Sequence, residues 1–293
     1  MKSISPIPFY AQMIALLENA LALLDEQGRE EVLQFILSSQ NEDGGFRDRG
    51  QSSDLYYSLF GLLILRALEK NGTEHTVNHL PVVTDSLLKL KLFTQRQTTL
   101  KVPGFIERCC LVLLQTELKS KKLIRFSSMV SLGRSFWKER TSINLSYRSF
   151  VLFLTLDAVL PLASIIKRPA GRMMEQTTVN EHSPCSEVAA KVFLNKMMHK
   201  ENSSEVALLH SFAAPTGGFK AFNHLQRADM LSTAVALFAL RYAEADLRLI
   251  KPATLDFIQS NYSAGAFLSG DDDQTEDVEY TFYGLLALGV LIG

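Results

Sequence analysis

The chain has 293 residues, with 30 Lys and Arg against 31 Asp and Glu for a net charge of −1, and it is 47% hydrophobic with 18 Phe and one Trp. Balanced charge excludes the basic excess that marks a nucleic-acid binder, and the apolar share suffices for a large core or a lined apolar cavity. Three cysteines, Cys109, Cys110 and Cys185, have no metal-ligand spacing and read as reduced core thiols of a cytoplasmic protein.

The N-terminal Met1-Lys2-Ser3-Ile4-Ser5-Pro6 carries one Lys and no apolar run with a cleavage site, so a secretory signal is not expected. Next along the chain, Glu31 to Ser39 and Leu55 to Leu68 place apolar residues at i, i+3, i+4 and i+7, which predicts two helices joined through the turn Asn41-Glu42-Asp43-Gly44-Gly45. His75 and His79 have the spacing of one helix face but lie in a Thr- and Asn-rich connection ending at Pro81, so no zinc pair is expected there. The segments Lys119 to Arg125, with Lys121 and Lys122, and Arg168 to Arg172 are basic; either could meet an acidic partner or an anionic lipid surface, or be solvated. The most apolar window, Phe150 to Ile166, is broken by Asp157 and Pro161 and is shorter than the roughly 20 residues of a membrane span, so a buried helix is expected and no transmembrane segment. Two further helices are predicted over Thr233 to Tyr242 and Thr281 to Leu291, preceded by turns at Pro215-Thr216-Gly217-Gly218 and Ser263-Ala264-Gly265. No window alternates with period two for long enough to require a strand.

Three of these stretches repeat one pattern: a glycine-aromatic turn, an aspartate eight to ten residues later, then a helix with a small hydroxyl residue. They are Gly44-Gly45-Phe46 to Asp54 and Ser58, Gly217-Gly218-Phe219 to Asp229 and Thr233, and Gly265-Ala266-Phe267 to Asp277 and Thr281. Recurring helix starts near Glu107, Tyr147 and Glu187 extend the count to about six helical hairpins of roughly 40 to 47 residues. The clearest copies are the first and the last, and the final helix is almost wholly apolar, which suits a ring that closes on itself as one domain over 1–293.

These repeats, with Gln40 to Phe46, Ser53 to Ser58, Pro215 to Ala221 and Asp277 to Gly289, resemble those shared by protein prenyltransferase β subunits and the squalene and terpene cyclases. The resemblance implies an all-α fold, an α/α toroid of six inner and six outer helices, with a funnel at one end where Asp54, Asp229 and Asp277 gather. It further implies action on an allylic prenyl diphosphate, by transfer or cyclisation, in an aromatic pocket formed by Tyr56, Tyr57, Phe60, Phe282 and Tyr283. Helix N-termini at that mouth suit an anion, and aromatic faces shield a carbocation. Diphosphate-gripping cations would be Arg47, Arg49, Lys220 and Arg227, with His224 in the mouth loop, and magnesium could sit on Asp271, Asp272 and Asp273.

The family's zinc ligands map onto Asp229, Leu231 and Tyr280; two of the three are replaced, so no zinc is expected. The cyclase motif maps onto Asp277-Val278-Glu279-Tyr280-Thr281, which makes Glu279 or Asp277 the candidate proton donor of a small terpene cyclase. Asp54, Asp229, Asp277, Glu279 and Tyr280 are the candidate catalytic residues; the three aspartates precede helices and would equally serve as caps, whereas capping does not explain Glu279 and Tyr280 inside the helix. A toroid that no longer catalyses and binds a lipid or a protein partner, such as a partner subunit, is the remaining alternative.

Overall fold

A computed structural model describes residues 9–70, 80–97, 104–119, 126–139, 141, 144–159 and 177–293. His75, His79, Lys121, Lys122, Arg125 and the segment Arg168 to Arg172 lie outside the described residues. The helices are α1 (Phe9–Leu23), α2 (Glu26–Ser38), α3 (Leu55–Lys70), α4 (Leu80–Gln97), α5 (Phe105–Glu117) and α6 (Phe126–Glu139). They continue as α7 (Leu145–Val159), α8 (Cys185–Met197), α9 (Ser203–His210), α10 (Met230–Tyr242), α11 (Lys251–Ser260) and α12 (Val278–Ile292). Helices α5, α7 and α8 begin within two residues of Glu107, Tyr147 and Glu187, where the repeat spacing places them.

Six helices form an inner ring: α3 packs on α5, α5 on α7, α7 on α8, α8 on α10, α10 on α12, and α12 returns to α3. Among the described residues the outer helices are α2 on α3, α4 between α3 and α5, α6 on α5, α9 between α8 and α10, and α11 on α12. Residues 160–176, between α7 and α8, are outside the described set. The inner helices are apolar around most of their circumference because both faces are covered; in α12 all but a few residues are buried. Among the described residues, no helix is long and apolar enough to cross a membrane.

The repeat has a direct mechanical meaning. Phe46, Phe219 and Phe267 are each almost wholly buried, and their backbone N–H groups donate to Ser58 Oγ (2.9 Å), Thr233 Oγ1 (2.8 Å) and Thr281 Oγ1 (3.2 Å) of the following inner helix. The small hydroxyl residue therefore satisfies a buried donor. The first glycine of each turn has positive φ (92° at Gly44, 96° at Gly217, 93° at Gly265), and a Cβ there would strike the backbone of an outer helix: Lys89 of α4, Ala253 of α11 and Glu31 of α2. Since α2 belongs to the first hairpin and Gly265 to the last, this third contact closes the ring. Tyr262 reinforces it, its hydroxyl donating to Glu31 Oε2 at 2.9 Å.

Two short hairpins qualify the expectation of no strands. β1 (Phe46–Arg47) pairs antiparallel with β2 (Ser53–Asp54), and β3 (Tyr262–Ser263) with β4 (Ala266–Phe267). They are only two residues long, too short for periodicity to register, and they fold the glycine turn back onto its own helix.

The middle hairpins have lost the capping aspartate, and carboxylates from neighbouring helices replace it. Glu139 Oε2 of α6 accepts from Phe105 N at the start of α5 (3.0 Å), and Glu187 of α8 accepts from Ser146 N (3.0 Å) and Tyr147 N (3.1 Å) at the start of α7. α1 lies across the C-terminal ends of the inner helices. Its Phe9 packs edge-on against Phe153, Phe193 and Tyr242, and Leu16 further along meets Gly289 of α12. Asp157 Oδ2 of α7 accepts from Phe9 N at 2.8 Å.

Gly265→Ala should destabilise the protein by about 2 kcal/mol or more in chemical denaturation, because the residue is left-handed and pressed on α2. Gly133→Ala in α6, where a Cβ meets nothing within 4 Å, should be neutral or stabilising by up to about 1 kcal/mol. Equal effects of the two would refute the closure contact.

Candidate functional site

The ring encloses a cavity of about 130 Å³ lined by α1 and all six inner helices. A single water occupies about 10–15 Å³ on that scale, so the space would hold about ten waters. Its floor is Tyr10 and Met13 of α1, its walls include Phe150, Phe193 and Phe238, and its roof is Tyr56, Tyr147 and Tyr283. Phe60 stacks on Phe282 at a centroid separation of 4.5 Å, bringing the first and last inner helices together at the cavity edge. No Lys, Arg or His is among the described residues that line it.

The roof is tied to a carboxylate. Tyr56 OH donates to Glu279 Oε1 (2.8 Å), Tyr57 OH donates to Glu279 Oε2 (3.3 Å), and the hydroxyls of Tyr56 and Tyr283 are 3.2 Å apart. With the one proton of Tyr56 directed to Glu279, Tyr283 is the donor to Tyr56. Burial pushes the phenols of Tyr56, Tyr147 and Tyr283 above their ordinary range, which keeps them protonated. Burial also raises the Glu279 carboxyl, opposed by the Tyr56 hydrogen bond and reinforced by the nearby charge of Asp277.

All three repeat aspartates sit at one rim, and all three cap helices. Asp54 Oδ1 accepts from Tyr56 N (2.7 Å) and Tyr57 N (3.1 Å), Asp229 Oδ1 from Ser232 N (2.7 Å), and Asp277 Oδ1 from Tyr280 N (2.7 Å). Arg49 joins the first repeat to the last: it bonds Asp277 Oδ2 at 2.9 Å and Asp273 Oδ2 at 2.7 Å, and its guanidinium lies 5.1 Å from the centre of the Tyr280 ring. Desolvation raises the carboxyls of Asp229 and Asp277; their cap hydrogen bonds oppose it, as does Arg49 at Asp277.

Of the anticipated pocket residues, Tyr56, Phe60, Phe282 and Tyr283 line the cavity, while Tyr57 turns to Glu279. Of the anticipated cations, Arg227 pairs with Asp272, Lys220 donates to Asn223 O at 3.0 Å, His224 is exposed beside Phe222, and Arg47 is half-buried on β1. Asp271 is bonded by Ser269, so each member of the acidic run has a protein partner. Among the described residues no three His, Cys, Asp or Glu side chains converge to hold a metal ion. Cys109, Cys110 and Cys185 are free and buried, and burial pushes the Cys109 thiol up to about 12.

A profile of the prenyltransferase alpha-alpha toroid domain matches residues 7–97 and 185–292. The chain belongs to this family. The unmatched stretch is the one where the glycine turns are lost and the caps come from neighbours. Among curated proteins no match is found, nor is there one among solved structures. The α5 and α7 contributions to the toroid's cavity, Cys110 and Tyr147 among them, were missed by motif reasoning because they fall in that stretch, and Phe193 was missed because its helix α8, though matched, has no glycine turn before it. A signal was present: Tyr147 is the third residue of its inner helix and Tyr56 the second, so both point from the same level of the ring.

Glu187 supplies a pH test of the roof support. It is 5% exposed, and burial raises its carboxyl to about 7, against the opposing bonds from Tyr147 and Ser146. The folded state thus keeps a proton that the unfolded chain releases near the ordinary value of about 4.3, so this group's stabilisation is complete below that value and is lost as pH rises through 7. Denaturation midpoints should fall between pH 5 and 8 by more in the parent than in Glu187→Gln; parallel profiles would show that Glu187 folds already ionised.

Proposed function

We propose that this toroid holds an isoprenoid chain in its central cavity and acts on an allylic prenyl diphosphate, by transfer or by cyclisation. The carrying observation is a cavity walled mainly by aliphatic and aromatic side chains from all six inner helices, with Glu117 of α5 the one carboxylate among the described lining residues, in a chain of the prenyltransferase toroid family. Such walls bury a prenyl chain, exclude water from a reactive cation and offer ring faces that attract it. With no cation among the described lining residues, the diphosphate would stay outside, at the rim, near Arg49 and Arg227 with Arg47 and Lys220 as further positive charge. Arg49 and Arg227 hold Asp273 and Asp272, so a diphosphate would take the place of those carboxylates. Magnesium, if used, would be bound by the freed acids together with the phosphates.

A proton-initiated cyclase is the alternative that one observation favours, the Glu279 network. The acid of that reading is Glu279 itself, whose carboxyl burial raises; as it now accepts from Tyr56 and Tyr57, it would have to bind a proton and release one of those phenol bonds before giving the proton to an alkene. Asp277 is less suited, since Arg49 and the Tyr280 N–H occupy its two oxygens. A toroid that only binds a lipid or protein partner would keep the cavity and lack turnover.

Purified protein should bind farnesyl or geranylgeranyl diphosphate, and Ala189→Phe, which fills the cavity from α8, should weaken binding at least about tenfold at a stability cost of about 1–3 kcal/mol. Diphosphate release with and without magnesium tests transfer or ionisation. Squalene turnover that is abolished by Glu279→Gln would assign the acid instead. Failure of every isoprenoid to bind, with the fold intact by circular dichroism, would overturn the proposal.

A further inference from the structure

Helices α4 and α6 both pack on α5 and are successive members of the outer layer. Their solvent faces carry large apolar side chains: Leu88 (55% exposed) and Leu92 (50%) one turn apart on α4, and Trp137 (56%) on α6. Around them stand Lys89, Lys91 and Arg96 on α4 and Arg134 and Lys138 on α6. The acids on the two helices are Asp85 and Glu139, paired with Lys89 (2.7 Å) and Arg148 (3.2 Å). Among the described residues these two helices thus carry five cations and two acids in a chain whose net charge is −1, with Arg96 also donating to the backbone carbonyl of Asp43 in the first glycine turn.

We propose that this face docks the toroid on an anionic lipid surface. Leucine and tryptophan enter the headgroup boundary while lysine and arginine extend their charges to lipid phosphates and carboxylates. Charge complementarity selects the occupant: protein interface cores are depleted in lysine, whereas apolar residues ringed by lysine and arginine are the composition of membrane-surface helices. The proposal does not depend on what the cavity holds.

The test is co-sedimentation of the full chain with vesicles of phosphatidylcholine alone and of phosphatidylcholine mixed with phosphatidylserine. Binding is expected to the mixed vesicles, to weaken with salt, and to be much lower on the neutral ones. Leu88→Ser with Leu92→Ser and Trp137→Ser, and separately Lys91→Glu with Arg134→Glu and Lys138→Glu, should each lower partition about tenfold or more at an unchanged melting temperature. The changed residues are at the surface, so folding is kept as a control. No binding, equal binding to both vesicles, or variants that bind like the parent would overturn the proposal. Self-association abolished by the leucine changes would also do so, by assigning the face to a second copy.

Discussion

The contact on which the ring depends is the seat of the repeat phenylalanine. Its backbone N–H is buried and finds its acceptor in a hydroxyl of the next inner helix, while its ring lies on that same helix. An unmet donor there would cost about 1–3 kcal/mol, so the hydroxyl is required by burial alone. The ring also needs room: at Gly61 and Gly284, three residues beyond Ser58 and Thr281, a Cβ would meet the rings of Phe46 and Phe267. Glycine, phenylalanine and hydroxyl are therefore one device that sets α3, α10 and α12 against their turns, with a second glycine in the first and last copies and Ala236 in the middle one.

From that device follows the sorting of charge. Because the turns all lie at the N-terminal pole of the inner helices, the capping aspartates must collect there, with the orphan N–H groups they satisfy. Arg49 offsets part of that negative charge and links the two ends of the chain across the closure. The cavity below is left without ionised lining at its roof, where phenols face inward and the carboxylate they bond sits behind them. A greasy compartment and a charged rim are thus held apart by one layer of tyrosines.

The middle of the chain reaches the same end by another route. Glu139 and Glu187 do for α5 and α7 what Asp54 does for α3, from a neighbouring helix instead of the preceding residue. Local sequence has lost the motif while the electrostatic need of the helix N-terminus is met through space. α1 completes the vessel at the opposite pole with aromatic packing, giving the cavity a floor that no repeat contributes.

The helical class and the turn positions were determined by sequence alone, because each rests on residues within one or two helical turns of one another, and the repeat fixed the hairpin spacing; for Asp54, Asp229 and Asp277 the sequence offered capping as one of two roles, and the structure shows the cap bonds. Phe60, Phe282, Tyr56 and Tyr283 were also legible as pocket residues, since the resemblance covers their repeats. Tertiary structure decided the rest: that Glu279 is the partner of Tyr56, more than two hundred residues away, that Arg49 is held by Asp273 and Asp277, and that Tyr147 joins the roof. Those contacts exist only once the ring closes, and closure is a matter of helix packing over distances that no local spacing encodes.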